Sequence, residues 1–144
     1  MKIRDILRTK GDQVVTVSSA GTVLSAMQVL VEHNIGAVVV VDQGEIKGIL
    51  SERDVLRLGA RDPAALPATP IGDVMTKELV ICVDEDDVEY AMNVMTRNRI
   101  RHLPIVEDGT LVGIVSIGDL VNVIREKAEF ENRYLRDYIQ GTTS

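Results

Sequence analysis

The feature that most constrains this chain is an internal repeat. Residues 48–54 (GILSERD) return 65 positions later as residues 113–119 (GIVSIGD), with the glycine, the serine and the aspartate in the same places. At the same offset, residues 22–54 and 87–119 also share apolar positions such as Val23 and Met27. Matching core positions and glycines indicate a duplication. Each half is too short to bury a comfortable core alone, so we expect two similar units packed together.

Both halves predict the same order of elements. β-branched runs indicate strands, apolar residues at helical spacing indicate helices, and Gly44 and Gly109 mark tight turns. The first half predicts strand, helix, strand, strand and helix at residues 14–17, 23 to about 33, 35–42, 46–50 and 51–58. The second half repeats this order at residues 80–83, 88–95, 100–107, 111–115 and 119–138. The expected fold is α+β, with two pseudo-symmetric β-α-β-β-α repeats packed through their sheets and two equivalent clefts between them.

These patterns divide the chain into four parts. Repeat 1 spans residues 1–60, a linker rich in Pro and Ala spans 61–69, repeat 2 spans 70–125, and a helical tail spans 126–144. Each repeat opens with a short lead-in, and Asp5-Ile6-Leu7 resembles Asp73-Val74-Met75. Residues 9–13 are polar and contain a glycine, which favours a loop. The tail carries much of the chain's aromatic content and is expected to pack against a second copy.

Composition excludes several classes of function. The net charge is −6 and only 3% of residues are aromatic, which argues against nucleic acid or an anionic membrane as a partner. Cys82 is the only cysteine, so no intrachain disulfide can form. The N-terminus lacks an apolar signal core, and the run at residues 37–41 is too short to span a bilayer. We therefore expect a soluble, cytoplasmic protein.

The repeated serine and aspartate have two interpretations. Ser51 and Ser116 each stand where a strand ends and a helix begins, and Asp54 and Asp119 follow one helical turn later. Such a helix end offers unpaired N–H groups and partial positive charge, which suits an anionic ligand. Plain N-capping by the serine and dipole complementation by the aspartate explain the same pattern without a ligand.

At this point the chain resembles a tandem pair of CBS domains, known as a Bateman module, of the stand-alone bacterial type. The resemblance covers about residues 2–125. It is carried by the two Gly-x-x-Ser-x-x-Asp segments, by residues 35–40 (IGAVVV) and by residues 99–106 (RIRHLPIV). It implies clefts between the repeats that bind adenine nucleotides. The ligand would be AMP, ADP or ATP, with NAD(H) or S-adenosylmethionine as alternatives, and neither a catalytic cofactor nor a metal is implied.

The resemblance also implies roles for particular residues. The two aspartates would accept hydrogen bonds from ribose hydroxyls, the two serines would donate to phosphate oxygens, and the first strands of the repeats would form an apolar slot for adenine. The full set of expected nucleotide-binding residues is Thr16, Ala37, Ser51, Arg53, Asp54, Cys82, Arg101, His102, Pro104, Ser116 and Asp119.

The two expected sites differ in charge. Arg101 and His102 occupy the positions of Gly36 and Ala37 in the first repeat. A guanidinium binds phosphate through two parallel hydrogen bonds, and an imidazole adds a donor. We therefore hypothesise that the site containing Asp119 takes the more highly charged phosphate end. A solvated strand edge is the alternative interpretation of Arg101 and His102.

The leading interpretation is a non-enzymatic regulatory module that senses energy or redox state through an adenine nucleotide. It would change its conformation or homodimer packing and so control an unknown protein. A nucleotide-hydrolysing enzyme is one alternative, although His33 and His102 are the only histidines and neither has a recognisable catalytic partner. A structural or interaction module without a ligand is another. The acidic run at residues 84–87 lacks the ligand spacing of a calcium loop and is interpreted as a helix cap.

Overall fold

The computed structural model describes residues 1–11 and 14–140. It contains five α-helices and six strands within those ranges. In chain order they are α1 (Ile3–Lys10), β1 (Thr16–Val17), α2 (Val23–His33), β2 (Ala37–Asp42), β3 (Glu45–Ser51), α3 (Glu52–Arg61), β4 (Cys82–Val83), α4 (Val88–Asn98), β5 (His102–Glu107), β6 (Thr110–Ser116) and α5 (Ile117–Ile139). Two 3₁₀ turns, Pro63–Ala65 and Ile71–Asp73, lie between the repeats.

The duplication is visible in the backbone. Each repeat forms a three-stranded sheet, β1-β2-β3 or β4-β5-β6, in which the first strand is parallel to the second and the third is antiparallel. Both hairpins turn through two residues with positive φ, Gln43-Gly44 and Asp108-Gly109. That backbone matches the twist of the flanking strands. The predicted α+β fold of two β-α-β-β-α repeats is confirmed.

Each repeat has its own apolar core, and the lead-in of the other repeat completes it. Ile3 and Ile6 of α1 pack with the core of the second sheet, although they belong to the first repeat in sequence. Ile71 and Met75 pack with the core of the first sheet. Backbone hydrogen bonds hold both crossings, for example from Ile3 N to the carbonyl of Asp86 at 2.9 Å. The two lead-ins are therefore exchanged between the repeats.

Two glycines at equivalent positions allow these crossings. A Cβ on Gly48 would lie 2.6 Å from the carbonyl oxygen of Thr76, and a Cβ on Gly113 would lie 2.6 Å from Cδ2 of Leu7. Both distances are far shorter than a van der Waals contact, so only glycine fits without movement. The repeated glycine of the sequence motif is thus the place where each lead-in crosses the opposite sheet.

The faces of the sheets that point away from the helices are buried as well. Val38 and Val40 belong to the first core, so the intervening Val39 points to the other face of its sheet, where it is fully buried. Pro104 alternates in the same way between Leu103 and Ile105 and is also buried. These faces pack the repeats against each other, as expected.

Some local predictions need correction. The expected loop at residues 9–13 is helical at Thr9 and Lys10, because α1 packs against the second core and Lys10 binds Asp119. Residues 12 and 13 lie outside the described residues. The expected strand at 14–17 is shortened to Thr16–Val17. Helix α5 runs without a break to Ile139, and residues 141–144 of the tail lie outside the described part of the chain.

The acidic run at residues 84–87 is predicted to cap α4, the helix that follows it, and the structure shows a different arrangement. Asp87 occupies the N-cap position of α4, but its side chain accepts no capping hydrogen bond. The Asp86 carboxylate instead accepts from the backbone N–H of Val83 at 2.9 Å. The carbonyls of Asp84 and Asp86 accept from the first N–H groups of α1. The run therefore caps α1 through its backbone, because the exchanged lead-in lies across it.

Candidate functional site

The serine and the aspartate of each motif bind each other across the start of a helix. In the first repeat the N–H of Ser51 donates to Oδ2 of Asp54 at 2.9 Å, and the N–H of Asp54 donates to Oγ of Ser51 at 3.4 Å. Ser116 and Asp119 repeat this arrangement at 2.8 and 3.1 Å. These capping boxes explain the spacing of the motif. In Asp54 they use only Oδ2, and no hydrogen bond within the described ranges involves Oδ1.

A cleft of about 360 Å³ opens at the N-terminus of α3. That volume lies in the range of small-molecule sites, roughly 300–1,000 Å³. Both repeats contribute to its walls. The lining residues are Ile49, Ser51, Glu52, Arg53, Asp54, Leu56, Thr76, Glu78, Leu79, Val80, Arg99, Ile100, Arg101, His102 and Pro104.

The cleft combines charged groups of both signs with an apolar wall. Its cations are Arg53, Arg99 and Arg101, and its carboxylates are Glu52, Asp54 and Glu78. Leu79, Val80 and Ile100 provide apolar surface. A flat apolar ring with an anionic substituent is the kind of ligand that such a lining can accommodate, because the arginines offer planar, multidentate donors.

Arg99 reaches this cleft because of an unusual backbone. It ends α4 with a φ of 55° and a ψ of 44°, in the left-handed region, where its N–H donates to the carbonyls of Met95 and Thr96. Asn34 ends α2 in the same conformation, and asparagine adopts it more readily than arginine does. Arg99 thus places a long cationic side chain at the position where the first repeat has Asn34, a residue that suits this backbone better.

His102 lies between the two repeats. A Cβ on Gly36 would lie only 3.0 Å from Nε2 of His102 and 3.4 Å from a carboxylate oxygen of Glu52. Burial lowers the pKa of His102, although the nearby Glu52 and Asp119 carboxylates favour its protonated form. The imidazole is therefore biased toward the neutral state at the edge of the cleft.

The second motif has a different environment from the first. Nζ of Lys10 donates to Oδ2 of Asp119 at 2.8 Å and to the carbonyl of Ile114 at 2.9 Å. Burial alone would raise the pKa of Asp119, but the Lys10 ammonium and the Ser116 N–H hold it below its ordinary value. No salt bridge involving Asp54 is found in the described part of the chain. The two aspartates therefore differ in what neutralises them.

Six of the eleven expected residues line the cleft at α3: Ser51, Arg53, Asp54, Arg101, His102 and Pro104. Arg101 and His102 line the same cleft as Asp54, while the carboxylates close enough to act on His102 are those of Glu52 and Asp119. The hypothesis that Arg101 and His102 serve Asp119 stays a prediction. Their backbone does pair with the second motif, since His102 is opposite Ser116. The His102 imidazole lies near Gly36 and Glu52 of the first repeat and also near Lys10 and Asp119 of the second motif.

The other five expected residues lie elsewhere. Thr16 is exposed on β1, and Ala37 is buried where β2 pairs with Ser51. Cys82 is buried in the second core beside Ile3, on the helix side of its sheet. Ser116 is the N-cap of α5, and Asp119 lies in the first turn of that helix, where Lys10 binds it.

Sequence reasoning missed the part of the cleft that comes from the second lead-in. Thr76, Glu78 and Leu79 reach it because residues 75 and 76 cross the first sheet, where Thr76 and Ile49 exchange backbone hydrogen bonds of 2.9 and 3.0 Å. The signal was the repeated glycine at position 48, which marks a close approach of another segment. The sequence alone does not say which segment approaches.

Comparison with known proteins identifies the class. The family model for the CBS domain matches residues 3–61 and again residues 71–126. The chain therefore belongs to the CBS-domain family and carries two copies of the domain. None of the helices within residues 1–11 and 14–140 is long and apolar enough to cross a membrane.

Individual relatives agree with this assignment. The mitochondrial CBS domain-containing protein CBSX3 of Arabidopsis thaliana is 38% identical over 148 residues, which cover 96% of this chain and 72% of that protein. The crystal structure of the CBS-domain protein ATU1752 from Agrobacterium tumefaciens superposes with a TM-score of 0.81 at 40% identity, covering 85% of this chain and 98% of that one. PAE2072 from Pyrobaculum aerophilum, a CBS domain protein complexed with AMP, has a TM-score of 0.73 at 25% identity, covering 83% and 89%.

Proposed function

We propose that this chain is a regulatory module that binds an adenine nucleotide in the cleft containing Asp54. The observation that carries the proposal is the composition of that cleft. Within about 360 Å³, at a helix N-terminus, the cleft brings together three arginines and Asp54, which forms no salt bridge with any residue in the ranges 1–11 and 14–140. The AMP complex of the related PAE2072 supports an adenosine ligand for this fold.

Different residues of the cleft would bind the ribose, the phosphate and the adenine of the ligand. The Asp54 carboxylate would accept hydrogen bonds from the ribose hydroxyls. Arg53 and Arg101 would bind the phosphate, assisted by the N-terminus of α3. Leu79 and Val80 would contact the adenine ring. AMP and ADP fit this arrangement better than ATP, because the carboxylates of the cleft equal its arginines in number and disfavour a larger negative charge.

A matched pair of variants tests the assignment. Asp54→Asn and Asp119→Asn remove the same capping-box charge from equivalent helices, and Asp119→Asn also removes the ion pair with Lys10, so any loss of stability should be larger for Asp119→Asn. Only Asp54→Asn should weaken AMP binding in isothermal titration calorimetry, by roughly tenfold to a hundredfold for the loss of charge-assisted hydrogen bonds. Equal affinities of AMP for wild type and Asp54→Asn would refute the ribose role.

The ligand itself is identified by a thermal-shift screen of AMP, ADP, ATP, NAD(H) and S-adenosylmethionine. A ligand at 100 times its dissociation constant stabilises the folded state by roughly 2.7 kcal/mol. Arg101→Ala should reduce the shift produced by the phosphorylated compounds and leave that of S-adenosylmethionine unchanged. A chain whose melting temperature responds to none of these compounds would contradict the proposed function.

Binding would act on the arrangement of the repeats or of two chains. The cleft takes residues from both repeats, so a ligand would favour one relative orientation over others, provided that its affinity differs between them. The exposed aromatic side chains of α5, at Phe130, Tyr134 and Tyr138, suit a homodimer contact. Small-angle scattering and light scattering with and without AMP measure both effects, which would transmit energy or redox state to a regulated partner protein.

A further inference from the structure

The starting point is a pair of equivalent positions with opposite charge. Lys10 follows Leu7 by three residues, as Glu78 follows Met75. Leu7 lies over Gly113, and Met75 lies over Gly48, so the two lead-ins have equivalent placements on opposite sheets. From these equivalent points the chain follows different paths: Lys10 ends helix α1 beside the second motif, and Glu78 lies in an irregular segment that lines the cleft of the first.

The consequences at the two motifs are different. Glu78 lines the cleft that contains Asp54, and a second carboxylate cannot neutralise the first. Lys10 instead binds the carboxylate of Asp119 at 2.8 Å and the carbonyl of Ile114, the third residue before the start of α5, at 2.9 Å. One ammonium thus satisfies two acceptors at the place where a ligand would meet the second motif.

We infer that Lys10 is an internal occupant of the second motif and determines that the chain binds nucleotide at the Asp54 cleft alone. The inference rests on the proposed function and specifies its stoichiometry. A nucleotide entering at Asp119 would have to displace a tethered cation from a charge-assisted hydrogen bond before its ribose hydroxyls could take that place. At Asp54 no cation among the described residues forms a salt bridge that the same nucleotide would have to break.

The tethered position makes Lys10 an effective competitor. It is held on the last turn of α1, whose Ile3 and Ile6 are buried in the second core, so the ammonium stays near Asp119 at a high effective concentration. The pair is also partly shielded from solvent, since 37% of the Lys10 side chain and 25% of the Asp119 side chain are exposed. Partial burial reduces screening by salt.

The test is calorimetric titration of the full chain with AMP in three variants. Wild type should bind one equivalent. Lys10→Met keeps the apolar stem of the side chain but removes its charge, and it should bind a second equivalent with an affinity at least tenfold tighter than any second site of wild type. Adding Asp119→Asn to Lys10→Met should abolish this gain, which separates an opened site from a general change in the fold.

The mirror-image variant supplies an independent measurement. Glu78→Lys places a cation in the cleft that contains Asp54, at the position that corresponds to Lys10 in sequence, and it should weaken AMP binding at least tenfold. Tighter binding by Glu78→Lys would overturn the inference, because it would show that a lysine at this position binds phosphate. Two equivalents bound by wild type, or only one bound by Lys10→Met, would overturn it as well.

Failure of the proposed function gives a different pattern. If wild type binds one equivalent that Asp54→Asn removes, the function holds whatever Lys10→Met does. If wild type binds no AMP but Lys10→Met binds one equivalent, the occupancy of the second motif by Lys10 is supported and the Asp54 site is refuted. No binding by either protein overturns both.

Discussion

The strongest test of the exchanged lead-ins is the substitution of alanine at Gly48. Its Cβ would lie 2.6 Å from the carbonyl oxygen of Thr76 and 2.8 Å from Sδ of Met75. That carbonyl accepts the N–H of Ile49 at 3.0 Å, so it cannot move away without breaking a backbone hydrogen bond. Overpacking costs about 1–3 kcal/mol, and a displaced backbone places Gly48→Ala at the upper end, about 3 kcal/mol.

The equivalent position in the second repeat provides the comparison. A Cβ on Gly113 meets only the side chain of Leu7, whose terminal methyl groups can rotate, so Gly113→Ala should cost about 1 kcal/mol. Gly59, inside α3, has Leu66 at an ordinary 3.6 Å. Gly59→Ala should therefore stabilise the protein by up to about 1 kcal/mol, because alanine is the better helix former.

Thermal and urea unfolding of the three variants measure these differences. For a chain of this size 1 kcal/mol corresponds to roughly 2–4 °C in melting temperature. We expect Gly48→Ala to melt about 6–12 °C below wild type, Gly113→Ala a few degrees below it and Gly59→Ala slightly above it. Equal losses at Gly48 and Gly113 would refute the reasoning, since it depends on the difference between a backbone and a side-chain obstacle.

Further predictions concern the cores and two titratable groups. Ile71→Ala and Ile3→Ala should each cost about 2–5 kcal/mol, and each should lower a single unfolding transition, because each lead-in fills the core of the other repeat. Since the folded-state pKa of His102 lies below its ordinary 6.5, the unfolded chain binds more protons and stability should fall as the pH drops below about 6.5. His102→Gln should flatten urea midpoints over that window. Burial, followed by the Asp86 carboxylate, raises the pKa of the Cys82 thiol to about 11, so Ellman's reagent at pH 8 should react with Cys82 only after urea unfolds the chain.

The fold was largely predictable because the duplication doubles every local signal. Gly44 and Gly109 mark the same turn, and Ser51 and Ser116 begin the same kind of helix. A pattern that is ambiguous once becomes informative when it recurs in register. Helix ends were less predictable: Thr9 and Lys10 look like loop residues by composition, yet tertiary packing of α1 against the second sheet keeps them helical.

The site was only half predictable, because it forms between segments that are distant in sequence. Ser51 and Asp54 were visible from their repetition. The assignment of Arg101 to a particular aspartate was not, because its strand pairs with the second motif while its side chain lines the cleft that contains the first. The alternation of side chains along a strand determines which face of the sheet each residue is on. Such local patterns do not determine which residues of the other repeat lie opposite that face.

The position of Lys10 shows why charge is harder to infer than fold in a duplicated chain. At the offset of 65 residues that aligns the motifs, Lys10 corresponds to Met75, and the two look unrelated. The lead-ins instead align at 68, because the first half is three residues longer between Leu7 and Val23 than the second half is between Met75 and Val88. The match of Asp5-Ile6-Leu7 with Asp73-Val74-Met75 gives this second offset, and the packing of Leu7 over Gly113 and of Met75 over Gly48 agrees with it. The two motifs therefore share the same backbone geometry. They differ as binding sites because Lys10 binds the carboxylate of Asp119, whereas Glu78 lines the cleft of Asp54.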